Sequence, residues 1–175
     1  MSMQAARSQE VNSMEERDQA LADAAFQVAE RWLYNYNRWQ AEAFILRDTL
    51  ADHTGKVTAH LGRIGTTGEP GDGTFSRTTS VIEAEEKLPV LEAKIRILKA
   101  ALDSLGDELL KVVTYKYFRA WSNQLCWEHL RLSEREFYRD RRQAVSQISQ
   151  ILLNGILFRM EVEEKLNRNR ELVKK

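Results

Sequence analysis

Residues 121–145 read Trp121-Ser122-Asn123-Gln124-Leu125-Cys126-Trp127-Glu128-His129-Leu130-Arg131-Leu132-Ser133-Glu134-Arg135-Glu136-Phe137-Tyr138-Arg139-Asp140-Arg141-Arg142-Gln143-Ala144-Val145. Ser133 followed by Glu136 is a capping box, in which the hydroxyl accepts from the third helical amide and the carboxylate reaches back to the cap. A helix therefore starts at Glu134. Ser122 is an N-cap for a shorter helix over 123–130, which leaves only Arg131 and Leu132 before the Ser133 cap. Two short helices joined by so few residues form a helix-turn-helix. At 100° per residue, with Phe137 at zero, Ala144 and Ile148 fall within about 20° and Val145 at about 80°. These four make a buried face. Arg135, Arg139 and Arg142 fall at about 160°, 200° and 140°, and Tyr138 at about 100°. The arginines thus share the outward arc, where a recognition helix presents forked donors to bases and phosphates. Asp140 and Arg141 lie at the edge of the buried face.

Working outward, Gly106 punctuates the chain, and residues 107–118 form one helix with Leu109, Leu110, Val113 and Tyr117 on one face. Residues 106–155 are then a three-helix DNA-binding module. Beyond it, residues 156–175 form a charged helical tail with sparse apolar positions at Ile156, Met160 and Leu166. On the other side, Leu88, Leu91, Ile95, Leu98, Leu102 and Leu105 repeat at alternating spacings of three and four, a heptad seam. Pro89 either starts that helix or kinks it. Residues 12–50 carry a second stripe of Leu21, Ala25, Val28, Trp32, Tyr36, Trp39, Ala43, Leu46 and Leu50. The aromatics on it read as packing against another helix. Between the two lies a Gly-rich break over 51–79, read as a flexible loop with a short hairpin around 57–64. The expected fold is all-α: a flexible arm over 1–11, a coiled-coil-like helical hairpin over 12–105, then the helix-turn-helix module. The hairpin seams suit pairing within one chain or between copies, and the expected assembly is a homo-oligomer.

The chain has 175 residues, with 26 basic and 26 acidic side chains and no net charge. Coating by positive charge is excluded, while a local basic patch is not. Residues 1–50 carry five basic and eight acidic residues, and residues 106–155 eight basic and six acidic. One cysteine, Cys126, rules out an internal disulfide framework and points to a reducing compartment. The first ten residues lack the apolar core of a signal peptide. The apolar run 151–158 is too short to span a bilayer. The expectation is a cytoplasmic protein without membrane partners.

No enzyme signature is present. Gly55-Lys56 lacks the phosphate-loop spacing. Cys126 and His129 sit three apart on a helix but have no second ligand pair, whereas structural zinc takes four ligands. No metal or cofactor is expected. Cysteine catalysis lacks an oriented base.

At Ser122, at Leu130-Arg131-Leu132-Ser133 and from Ala144 to Ile148, the sequence resembles region 4 of bacterial sigma factors. It resembles still more closely the phage late-gene transcription regulators of the ArpU and RinA type. Residues 132–139 are similar to their turn and recognition helix, and Tyr115-Lys116-Tyr117-Phe118 to the end of their preceding helix. The likeness covers residues 102–152, with only a similar architecture before it. It implies activation of phage or prophage late genes (packaging, structural, lysis) in a bacterial host. It also implies double-stranded DNA as partner, contact with host RNA polymerase, and DNA contacts from Ser133, Arg135, Tyr138, Arg139 and Arg142. Trp127 departs from the sigma pattern, which has Gly or Ala there, so its side chain must point outward or repack the first helix of the motif. Two other functions fit the same residues: a phage small terminase subunit that binds packaging-site DNA, and a helical protein-interaction module with no DNA role.

Overall fold

The structure, a computed structural model, describes the backbone of residues 2–60 and 72–173 and the side chains of residues 14–52 and 80–172. It is all-α. The elements are α1 (Ser2–His60), α2 (Asp72–Asp103), α3 (Asp107–Val113), a π-helical turn (Thr114–Phe118), α4 (Asn123–Leu130), α5 (Glu134–Leu152) and α6 (Ile156–Val173). No strand occurs among the described residues.

Several boundaries differ from the sequence reading. The 1–11 segment, read as a flexible arm, belongs to α1 from Ser2 onward. Met3-Gln4-Ala5-Ala6-Arg7 are good helix formers, and extending an existing helix is far easier than nucleating one. The break over 51–79 narrows from both sides, because α1 runs to His60 and α2 starts at Asp72. A lone glycine such as Gly55 costs about 1 kcal/mol in a helix and does not end one. The 57–64 hairpin loses its first residues to α1, and residues 61–71 lie outside the described residues. Pro89 neither starts α2 nor ends it. It lies on an exposed side, where water can serve the carbonyl it leaves unbonded.

The chain forms two compact units, Met1–Asn35 with Ile97–Lys175, and Tyr36–Arg96. In the second unit, Arg47 pairs with Glu92 at 2.7 Å, and the Lys94 ammonium lies 5.3 Å from the centre of the Trp39 ring. Tyr36, Trp39, Ala43 and Ala84 are buried there, while Leu46, Leu88, Leu91 and Ile95 are half-buried.

In the first unit, α1 buries Ala24, Ala25, Val28, Ala29, Trp32 and Leu33. This is wider than the predicted stripe, and Leu21 at its start is exposed. The Trp32 ring meets Phe158 of α6 edge-on at 5.2 Å, and its indole N–H donates to Glu161 at 2.9 Å. Arg31 also pairs with Glu161. The 156–175 segment is therefore more than a polar tail. Phe158 and Val162 are buried, whereas Ile156 and Met160, two of the three apolar positions named from the sequence, are exposed, and the third, Leu166, is half-buried. The packed stripe is 158/162, one turn apart, and it lies on a different side of the helix from 156/160.

Candidate nucleic-acid interface

The junction between α4 and α5 is built from its own residues. Ser122 caps α4, with its hydroxyl accepting from the Leu125 amide at 3.3 Å. α4 ends on Arg131, which takes the left-handed conformation at φ 56°. The Leu132 amide then donates to the Trp127 carbonyl at 2.9 Å, closing the helix end as a Schellman turn does. Leu132 itself packs on the core cluster of Val112, Cys126 and Phe137. Next comes the capping box. Ser133 Oγ accepts from the Glu136 amide at 3.3 Å, and the Ser133 amide donates to the Glu136 carboxylate at 2.9 Å. The Ser133 hydroxyl also donates to that carboxylate at 2.7 Å. These bonds from Ser133 lower the Glu136 pKa.

The face of α5 divides as its periodicity requires. Phe137, Ala144, Val145 and Ile148 are all 0% exposed. Trp127, half-buried, turns toward α5 and meets Phe137 edge-on at 6.1 Å. The ring thus packs on the core cluster beside α5 rather than pointing out.

The residues assigned to DNA fall into three groups. Arg135 and Arg142 are exposed and make no hydrogen bond or ion pair among the described residues. Arg139 is exposed but pairs with Asp140 at 2.9 Å, which offsets part of its charge. Tyr138 is 41% exposed, and its hydroxyl accepts from the Asn123 side chain at 3.0 Å, while the Ser133 hydroxyl is committed to the cap.

Arg141 has a role the sequence reading did not give it. Its Nε donates to the Tyr117 hydroxyl at 3.0 Å, and its guanidinium pairs with Glu30 of α1. Tyr117 in turn donates to Glu30 at 2.5 Å. Burial, followed by the Glu30 hydrogen bond, pushes the Tyr117 pKa well up. Burial opposes the charge on Arg141, but its bonds to Tyr117 and Glu30 outweigh that, and its pKa is raised. Arg141, at the edge of the buried face, thus ties α5 to α1 and to the π turn. Its phase of about 40° from Phe137 was the available signal. What it would meet there was not.

The helix expected over 107–118 ends at Val113 and continues as a π turn. The Arg119 amide donates to the Thr114 carbonyl at 2.9 Å and the Trp121 amide to the Tyr115 carbonyl at 3.1 Å. Ala120 stands at φ 54°. The wider turn brings Tyr115, Trp121 and His129 together, with ring centres 4.7–5.1 Å apart, and the Arg119 guanidinium lies 4.9 Å from the Tyr115 ring centre. His129 bonds to the Tyr115 hydroxyl at 3.1 Å. Cys126 lies instead in the core with Val112 and Phe137, where burial raises its pKa. The two residues weighed as metal ligands are therefore engaged elsewhere.

A groove of about 840 Å3 runs beside the outward arc of α5, with α1 as its other wall. Arg139 and Arg142 line it from α5, and Gln19, Asp23 and Phe26 from α1. No helix among the described residues is long and apolar enough to cross a membrane. Comparison with known protein families, curated proteins and solved structures finds no match to this chain.

Proposed function

We propose that the protein is a sequence-specific DNA-binding regulator of the phage late-gene type, working by binding rather than catalysis in the cytoplasm of a bacterial host. The supporting observation is the α4–α5 junction. A capped, short-turned helix pair seats Phe137 in the core and leaves Arg135 and Arg142 outward with no protein partner among the described residues. In a helix-turn-helix the residues near the start of the second helix meet base edges, while neighbouring side chains hold phosphates. Arg135, Tyr138, Arg139 and Arg142 are the contacting set. Ser133 acts by fixing the helix start.

A single module of this size binds weakly, and pairing two copies would double its footprint. Phe44, Ile45, Ile82 and Val90 of the Tyr36–Arg96 unit are exposed apolar side chains that a second copy could cover. Contact with RNA polymerase belongs to the same reading as its regulatory step.

The test is selection of genomic fragments bound by the full chain at near-physiological salt. A discrete site upstream of packaging or structural genes supports the regulator. A site within a terminase gene, with ring-sized particles, replaces it with a packaging subunit. Recovery of nothing above background replaces both with a protein-interaction module. On a selected site, Arg139→Ala and Arg142→Ala should each weaken binding by about 1–3 kcal/mol and relax sequence preference wherever the side chain reads a base. Unchanged binding in both would remove α5 as the reading helix.

A further inference from the structure

An α-helix about 10–12 Å across fills a major groove about 12 Å wide, so a sugar–phosphate strand must pass close along its flank. On the flank of α5 stands α1, and the space between them is the groove of about 840 Å3. A flanking strand must either enter that groove or collide with α1.

The lining suits entry. On the α5 side, Arg142, Gln143, Ser146 and Gln150 carry side-chain donors that make no hydrogen bond among the described residues. On the α1 side, Gln27 is equally uncommitted, and the half-buried Phe26 adds an apolar surface. Arginine, serine and glutamine are residue types that hold phosphate oxygens, and an apolar ring suits the deoxyribose between them. One feature runs the other way. Asp23 is the sole carboxylate among the lining residues, and it accepts from Gln19 at 3.0 Å.

We propose that the groove between α1 and α5 seats one sugar–phosphate strand of the bound duplex, making α1 a second DNA-contacting wall outside the helix-turn-helix, with Asp23 limiting its affinity. This rests on the DNA-binding reading above. Sequence gave no hint of it, because Gln19, Asp23 and Gln27 look like any solvated helix face until α5 is set opposite them.

The experiment measures binding of the full chain by fluorescence anisotropy, across a salt series, to a duplex recovered in the selection and to a random-sequence duplex. The variants Asp23→Asn, Gln27→Glu and Gln27→Lys all lie on exposed positions of α1. Asp23→Asn and Gln27→Lys should tighten binding about three- to tenfold, and Gln27→Glu should weaken it by as much. The effects should be equal on both duplexes, because strand contacts carry no sequence information. The opposite signs of the two Gln27 variants separate a charge effect from a folding defect. If wild type binds duplex and all three variants match it, the strand seat is refuted while the recognition helix stands. Changes confined to the selected duplex also refute it. If wild type binds neither duplex, or the variants alter only capture of an acidic peptide, the seat falls together with the DNA-binding reading.

Discussion

The two junctions on either side of α4 solve the same problem by different means. Both must turn the chain sharply over the cluster of Val112, Cys126 and Phe137. The α4–α5 junction does so with short-range bonds: a left-handed Arg131, a Schellman-type closure onto Trp127 and the Ser133–Glu136 box, all between residues 127 and 136. The α3–α4 junction has such a code only on its α4 side, in the Ser122 cap. Before that cap it takes a π turn, a left-handed alanine and a cluster of Tyr115, Trp121 and His129, drawn from the π turn, the linker after it and α4. π turns recur at functional sites. In this chain the turn also places Tyr117 where Glu30 and Arg141 converge. A junction closed locally can be read from its own residues, whereas one closed by packing cannot.

The change expected to do most damage removes what the two junctions share. Phe137→Ala should destabilise the chain by about 3–5 kcal/mol in denaturant unfolding. An unfolding midpoint equal to wild type would mean that the junctions do not rest on one core. Next comes the tie behind the π turn. Arg141→Met should lose about 1–3 kcal/mol, because the carboxylate of Glu30 is left facing Tyr117 without a countercharge. Adding Glu30→Gln should recover much of that loss, and a double-mutant cycle with no coupling would show that the pair contributes nothing.

The locally closed junction should be less sensitive. Ser133→Ala should lose about 0.5–2 kcal/mol through the cap. Its acid dependence has a definite sign. The Glu136 pKa is lowered from the usual 4.5, so its contribution is present above that range and is lost as pH falls through the lowered value. The gap between wild type and Ser133→Ala should therefore narrow in thermal melts as the pH is lowered from 4.5. A gap that widens in acid would contradict the box. The smallest effect should have the opposite sign. Ala120→Gly should stabilise by about 0.5–1 kcal/mol, since glycine adopts φ 54° without the Cβ penalty. A destabilised variant would show that the αL residue is not a source of strain.

The same division runs through the whole chain. The capping box, the Ser122 cap, the buried set of α5 and the outward arginines were legible because each depends on spacing within one or two turns. The α1 stripe was legible from Ala25 to Ala43 for the same reason. The true face of α6 was not. Ile156 and Met160 are as apolar as Phe158 and Val162, and only the presence of Trp32 beside Phe158 selects between the two stripes.

What the sequence determined by itself was an all-α chain with a helix-turn-helix within 106–155 and the phase of its last helix, because helix periodicity and caps are properties of neighbouring residues. Tertiary structure alone decided that Arg141 is a tie rather than a free cation and that α1 faces the outward arc across a groove. Those outcomes depend on which groups from distant parts of the chain arrive within a few ångströms, and a charge or a hydroxyl acquires its role only from the partner it meets.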